Sequence, residues 1–199
     1  VDENDPVASD PDLDLFAAQH GPPFPAEFIA RYRAAQIARN HAITAWAQAE
    51  LARVRAAGFY DRPFTVMRTW ADPRMVDPTI EPTNREPNMC YAGIPLQANR
   101  SALGIASATT LRNWLGMWSL ATARTRAEPH LARMTCPALV INADRDTGVF
   151  PSDADLIFGA LAGTDKSRCS IDTDHYFTTP GARDEQADVI ADWISQRWG

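Results

Sequence analysis

Asp146 and His175 are the two side chains whose types and positions invite chemistry. Asp146 follows the apolar run Ala138-Leu139-Val140-Ile141-Asn142-Ala143, and His175 follows a second short run, Ser167 to Asp172, centred on Ile171. Read as neighbouring parallel strands, these runs deliver both side chains beyond the same carboxyl end of a sheet, where ligands and catalytic groups gather. Adjacent strands lie about 4.8 Å apart, so their loops come within hydrogen-bond reach. A carboxylate in that position fixes the tautomer of the imidazole and stabilises the imidazolium. The histidine then takes a proton from a nucleophile and returns it to a leaving group. Asp144 is the rival acid, although loop aspartates commonly bond turn amides instead. Asp174, beside the histidine, is expected to shape its turn. His20 and His130 lie in loop sequence and His41 in a helical stretch, so surface or packing roles are expected for all three.

The elements that would hold this pair fall in two unlike parts, residues 1 to about 130 and 131 to 199. In the first, the punctuation Gly21 to Pro25 is a helix start signal. Ile29, Tyr32, Ile37, Ile43, Trp46, Leu51 and Val54 then recur at helical spacing, and Gly58 is placed to end a helix of about 30 residues. Phe64 to Arg68 is a strand candidate, and the proline-dense stretch Pro63 to Asn88 predicts an ordered but irregular connector. A second helix is expected over about Ala102 to Ala123, with Leu111, Trp114, Leu115 and Trp118 as its apolar stripe. Such a stripe packs a core; Trp114 and Trp118 are also the candidates for contact with substrate. In the second part, the run from Ala138 suits a strand buried on both faces. A helix over Asp153 to Ala162, a strand over Ser167 to Asp172 and a terminal helix through Val189, Ile190, Trp193 and Ile194 complete a βαβα order. One βαβ unit is marginal by itself, so further strands are required from elsewhere.

The segment Cys136-Pro137-Ala138-Leu139-Val140-Ile141-Asn142-Ala143-Asp144-Arg145-Asp146, followed by Val149 and Pro151, resembles the penultimate strand and acid loop of the α/β-hydrolases. Asp174-His175-Tyr176-Phe177 resembles their histidine loop, and Ala187 to Ile194 their last helix. The chain order, acid then histidine, is also that of the family. The first part is similar to the helical cap that such enzymes insert before the acid strand. The resemblance implies an α/β fold: the C-terminal half of a hydrolase sheet carrying a helical cap. It implies a Ser-Asp-His triad in which this chain supplies Asp146 and His175. The family's nucleophile elbow, Gly-x-Ser-x-Gly, is absent from all 199 residues. Ser101, Ser107 and Ser119 lie in cap-like sequence without strand-turn-helix flanks.

The serine and the oxyanion donors are therefore expected on an N-terminal half, removed or separately supplied. The opening at Val1 and the acidic run to Asp14 agree with that, and valine excludes an N-terminal side-chain nucleophile. The implied reaction is acyl transfer from an ester, thioester or amide to water, with a small, hydrophobic acyl substrate beneath a roof made by the connector and the tryptophans. Two other readings stand beside it: acyl transfer to another acceptor, and a non-catalytic interaction subunit that would tolerate His175→Ala.

Composition narrows the partners. A net charge of −6 offers no basic footprint for nucleic acid. No apolar run approaches the roughly 20 residues of a membrane span. Cys90, Cys136 and Cys169 are dispersed and outside any Cys-x-x-Cys pair, so buried thiols in a reducing, cytoplasmic setting are expected. No metal-ligand cluster or phosphate loop is legible, and no cofactor is expected.

Overall fold

In a computed structural model of the chain, which describes residues 7, 10–16, 21–101 and 108–199, the proline punctuation hands over to helix at Ala26. Helix α1 (Ala26–Ala56) runs for 31 residues. It ends as the glycine predicts: Gly58 takes φ +85°, its N–H donates to Arg55 O at 3.0 Å, and the Phe59 N–H donates to Val54 O at 3.1 Å. This pair of bonds closes the last carbonyls in a Schellman motif. The buried line of the helix is Phe28, Tyr32, Arg39, Ile43, Ala47 and Val54. Ile37 and Trp46, expected in the apolar stripe, are 49% and 40% exposed. At 100° per residue Ile37 stands roughly 130° around the helix from the middle of that line, whereas Trp46 stands within about 50° of it, at its margin, where its ring meets Phe64 edge-on.

The described chain divides into two compact units, Val1–Asp77 with Ala92–Thr125 and Pro78–Tyr91 with Arg126–Gly199. The division differs from a simple break near residue 130, because part of the proline-rich connector belongs with the C-terminal elements. Both units are mixed helix and strand, and each contains one two-stranded sheet.

In the first unit, strand β1 (Pro63–Thr65) pairs antiparallel with β2 (Ala108–Thr110), Phe64 opposite Thr109. Pro63 leads an edge strand, where a missing N–H is tolerated. The strand is shorter than Phe64 to Arg68, since Arg68 turns to φ 54°. Ile43, Ala47, Val54, Val66, Leu111 and Trp114 form the core. A short helix α2 (Pro95–Arg100) carries buried Asn99, which accepts from Trp70 N–H at 2.8 Å and donates to Trp70 O at 3.0 Å.

The helix expected over Ala102 to Ala123 is not what forms. Residues 102–107 lie outside the described residues, and Ala108–Thr110 is extended. Thr110 then caps the three-residue helix α3 (Leu111–Asn113), accepting from Asn113 N–H at 3.2 Å. The chain continues into one π turn, Trp114–Trp118. Two β-branched threonines favour the strand over the helix. Beyond Trp118, the Ser119 hydroxyl accepts from Ala121 and Thr122 N–H at 3.2 and 3.1 Å, a local alternative to helical bonding.

The second unit holds α4 (Glu128–Leu131), β3 (Ala138–Ala143), α5 (Pro151–Ala160), β4 (Lys166–Ile171) and α6 (Ala182–Trp198). Strands β3 and β4 are parallel, paired from Ala138 with Lys166 to Ala143 with Ile171. Helix α5 starts at Pro151, two residues ahead of expectation, because Asp153 Oδ2 accepts from the Phe150 N–H at 2.9 Å and fixes the first turn there. Its end is met by Lys166, whose ammonium donates to Phe158 O and Leu161 O at 2.9 and 3.0 Å. A cation on the last carbonyls complements the helix dipole. Leu139, Val140 and Ile141 are only half-buried, and only Asn142 and Ala143 of β3 are buried. Cys90 is buried and Cys169 half-buried, but Cys136 is exposed, where it leads into β3. Among the described residues, no helix is long and apolar enough to cross a membrane.

Candidate active site

The parallel pairing of β3 and β4 does not stop with the strands. Asp144 N–H donates to Ile171 O and Arg145 N–H to Thr173 O, both at 2.9 Å, so the loops leaving the two strands are themselves joined. Asp146 N–H then donates to Ala143 O at 3.1 Å, turning the chain. The Asp146 carboxylate is buried, and its Oδ1 accepts from Gly148 N–H at 2.7 Å and Val149 N–H at 2.9 Å. Its own loop thus holds the carboxylate before any histidine is considered.

His175 arrives on the neighbouring loop. Its Nδ1 lies 2.9 Å from Asp146 Oδ2 and 3.1 Å from Oδ1. A carboxylate only accepts, so Nδ1 carries a proton, and in the neutral imidazole Nε2 then carries the lone pair. Among the described residues Nε2 has no hydrogen-bond partner. Asp144 is directed elsewhere: its Oδ1 accepts from the Asn142 amide at 2.9 Å. The carboxylate beside the histidine is Asp146.

Asp174 shapes the histidine turn. Its Oδ1 accepts from Tyr176 and Thr178 N–H at 3.0 and 2.9 Å, and its Oδ2 accepts from the Thr178 hydroxyl. Partial burial pushes its carboxyl up, but these donors together outweigh that and hold it below the usual range. Phe177 takes φ 54° here. Arg145 closes the turn from outside, donating to Asp172 O at 3.0 Å and Thr179 Oγ1 at 2.6 Å. Thr173, fully buried between β4 and the histidine, has a hydroxyl with no hydrogen-bond partner among the described residues.

Two aromatic rings complete the surroundings. Tyr91 stacks on the imidazole face with centroids 5.0 Å apart and planes 23° from parallel, and Tyr176 meets it edge-on at 5.0 Å and 89°. The Tyr176 hydroxyl donates to Tyr91 O at 2.6 Å. Burial pushes the Tyr91 phenol up. Sequence reading missed Tyr91, Tyr176 and Gly148. Nothing in the local pattern at Tyr91 announces a partner so far along the chain.

Trp114 and Trp118 belong to the first unit. Trp114 is a buried core residue whose indole N–H donates to Thr44 Oγ1 at 3.2 Å. Both tryptophans line a cavity of about 220 Å³ with Ile37, Val66, Arg39 and Arg68. His130 is exposed with Nδ1 3.1 Å from Arg133, and His41 is exposed on α1, so both take surface roles; His20 lies outside the described residues. Of the serines considered, Ser119 is buried and bonded to Thr44, Ser101 is exposed at the end of α2, and Ser107 lies outside the described residues. No group of histidine, cysteine and acidic side chains fit to hold a metal occurs among the described residues.

Comparison with known proteins adds no likeness to this geometry: no family model, no curated protein and no solved structure matches the chain.

Proposed function

We propose that this chain is the acid and histidine part of a serine hydrolase of the α/β-hydrolase kind. In this reading the nucleophilic serine lies on an N-terminal half of the same enzyme. The observation that carries it is the buried Asp146 carboxylate on His175 Nδ1, with Nε2 left as an open acceptor. That is the arrangement a general base needs, oriented from behind and unengaged in front. In the reaction, Nε2 accepts the serine proton as the oxygen attacks an acyl carbonyl. It returns that proton to the departing alcohol, thiol or amine; it then takes a proton from the water that attacks the acyl carbon and hands it to the serine oxygen as the acyl–oxygen bond breaks and the acid leaves.

The need for a partner half is supported by the sheet itself. A parallel sheet buries both faces, and two strands are marginal in water. Here β3 pairs only with β4 among the described residues, and Leu139, Val140 and Ile141 remain half-exposed. The exposed Leu156, Ile194 and Trp198 of the flanking helices fit the same reading.

The test is denaturing mass spectrometry of the native assembly after reaction with a fluorophosphonate. A second polypeptide bearing the probe mass is the expected result. If this chain appears alone and unlabelled, the hydrolase reading gives way to a binding subunit.

A further inference from the structure

The segment that brings Tyr91 to His175 is fastened along its length. Near its start, the Glu81 carboxylate accepts from Ser152 N–H and the Ser152 hydroxyl, each at 2.6 Å, on the first turn of α5. In its middle, buried Arg85 folds back onto the segment, donating to Ile80 O at 2.7 Å, Thr83 Oγ1 at 2.9 Å and Glu81 O. Its guanidinium carbon sits 5.0 Å from the Phe150 ring centroid. At its end, Tyr176 holds Tyr91 by the backbone oxygen. Two residues of this segment, Glu81 and Asn88, take φ 58° and 57°, backbone that non-glycine residues hold only under constraint. The result of all this fastening is one aromatic ring laid on one imidazole.

Gly148 makes the ring's seat. It sits in the very turn whose amides hold Asp146, its own N–H among them, and its φ is not left-handed, so no backbone demand calls for glycine there. The demand is steric. A Cβ at this position would penetrate Tyr91 Cδ1 and stand 3.3 and 3.4 Å from Cε1 and Cγ.

We propose that Tyr91 is a positioning residue of the site, seated through the space Gly148 leaves open, which holds His175 in the rotamer that meets Asp146 and presents Nε2. The proposal rests on the hydrolase reading for its catalytic consequence, but the geometry it claims is measurable without turnover. An aromatic face closes the directions in which a half-exposed imidazole would otherwise rotate about χ1 and χ2. The phenol hydroxyl is not needed for this, so phenylalanine serves as well.

The experiment is a double-mutant cycle on Gly148→Ala and Tyr91→Ala in the native assembly, read by ¹⁵N and ¹³C resonances of the His175 ring. The unmodified protein should give one ring environment with the proton on Nδ1. Gly148→Ala and Tyr91→Ala should each give exchange-broadened or doubled ring signals. Adding Gly148→Ala to Tyr91→Ala should change nothing more, because the ring it displaces is gone. Tyr91→Phe should keep the single environment. In turnover, Tyr91→Ala should lower kcat about threefold to tenfold, the rate equivalent of one aromatic pair, with KM little changed.

A single ring environment in both alanine variants overturns the proposal. So does a Gly148→Ala effect that is equally large without Tyr91. A coupled cycle together with no fluorophosphonate-labelled partner keeps Tyr91 as the holder of His175 and removes the hydrolase reading alone.

Discussion

Asp146→Asn isolates the part of the site that chemistry needs from the part that folding needs. Oδ1 receives Gly148 and Val149 N–H, and an asparagine carbonyl oxygen can keep both bonds. What changes is the group at the Oδ2 position, 2.9 Å from His175 Nδ1. There an amide NH₂ would face an N–H, donor against donor, and the imidazole escapes by moving its proton to Nε2. The charge-assisted bond that is lost contributes about 1.5–3 kcal/mol, and the turn itself is retained. On the proposed hydrolase reading the kinetic effect should be far larger, because a histidine protonated on Nε2 cannot accept a serine proton. For the corresponding change in the serine-protease template the loss is about 10⁴-fold, or about 5.4 kcal/mol at 1.36 per decade. The assay is ester turnover by the assembled enzyme, alongside ¹⁵N spectra of the His175 ring and a thermal melt. Asp144→Asn is the control, since it disturbs only the bond from Asn142. Turnover within tenfold of the unmodified enzyme for Asp146→Asn, or a greater loss for Asp144→Asn, refutes the reasoning.

The remaining predictions concern stability. Thr173→Val should stabilise the protein by about 1 kcal/mol in urea unfolding, because a methyl of similar shape replaces a buried hydroxyl without a hydrogen-bond partner among the described residues. A loss instead would mean that the hydroxyl is bonded in solution. Leu111→Ala, at a fully buried position in the first unit, should cost about 2–5 kcal/mol in the same assay. Asn99→Ala strands the buried Trp70 N–H and C=O and should cost about 2 kcal/mol or more, read as a lower urea midpoint. The histidine turn should be acid-labile. Because the Asp174 carboxyl is held below its ordinary range in the folded chain, its contribution is present above the unfolded pKa of about 3.9. That contribution is lost as pH falls through the lower folded value. The Tyr176 and Thr178 amide resonances should report the loss, and Asp174→Asn should abolish its pH dependence.

The chemistry-bearing part of the chain was the more legible, for a physical reason. Strand β3 is signalled by a continuous apolar run and the terminal helix by the Pro180-Gly181 stop before it, both local features, whereas β4 shows only Cys169 and Ile171 among polar residues. Parallel pairing then dictates that Asp146 and His175 emerge at one end. Which aspartate faces the histidine was less certain from spacing alone, and it turns on loop bonds that only coordinates supply. The first unit was read less well. The apolar residues Leu111, Trp114, Leu115 and Trp118 do lie on helical turns, but Thr109 and Thr110 before them and Ser119 after them bond in ways that confine the helix to that stretch. Tyr91 was invisible because its role depends on a glycine required for its emptiness, not for its backbone freedom.

The bonds from Asp144 to Ile171 and from Arg145 to Thr173 carry the strand register out into the loops, and this makes the register a ruler for the pair Asp146 and His175. A slip by one residue between β3 and β4 would turn every side chain to the opposite face, so the site has no intermediate, slightly misaligned version of itself. The connection ahead of β4 is itself tied down, Ala162 N–H to Leu131 O and Gly163 N–H to Met134 O, and Asp165 O already accepts from Ala138 N–H at the start of the ruler. A single residue added between Ala143 and Asp146 erases the distance from carboxylate to imidazole. Loop grafts or libraries built on this scaffold should treat the segment between Ala143 and Asp146 as fixed in length.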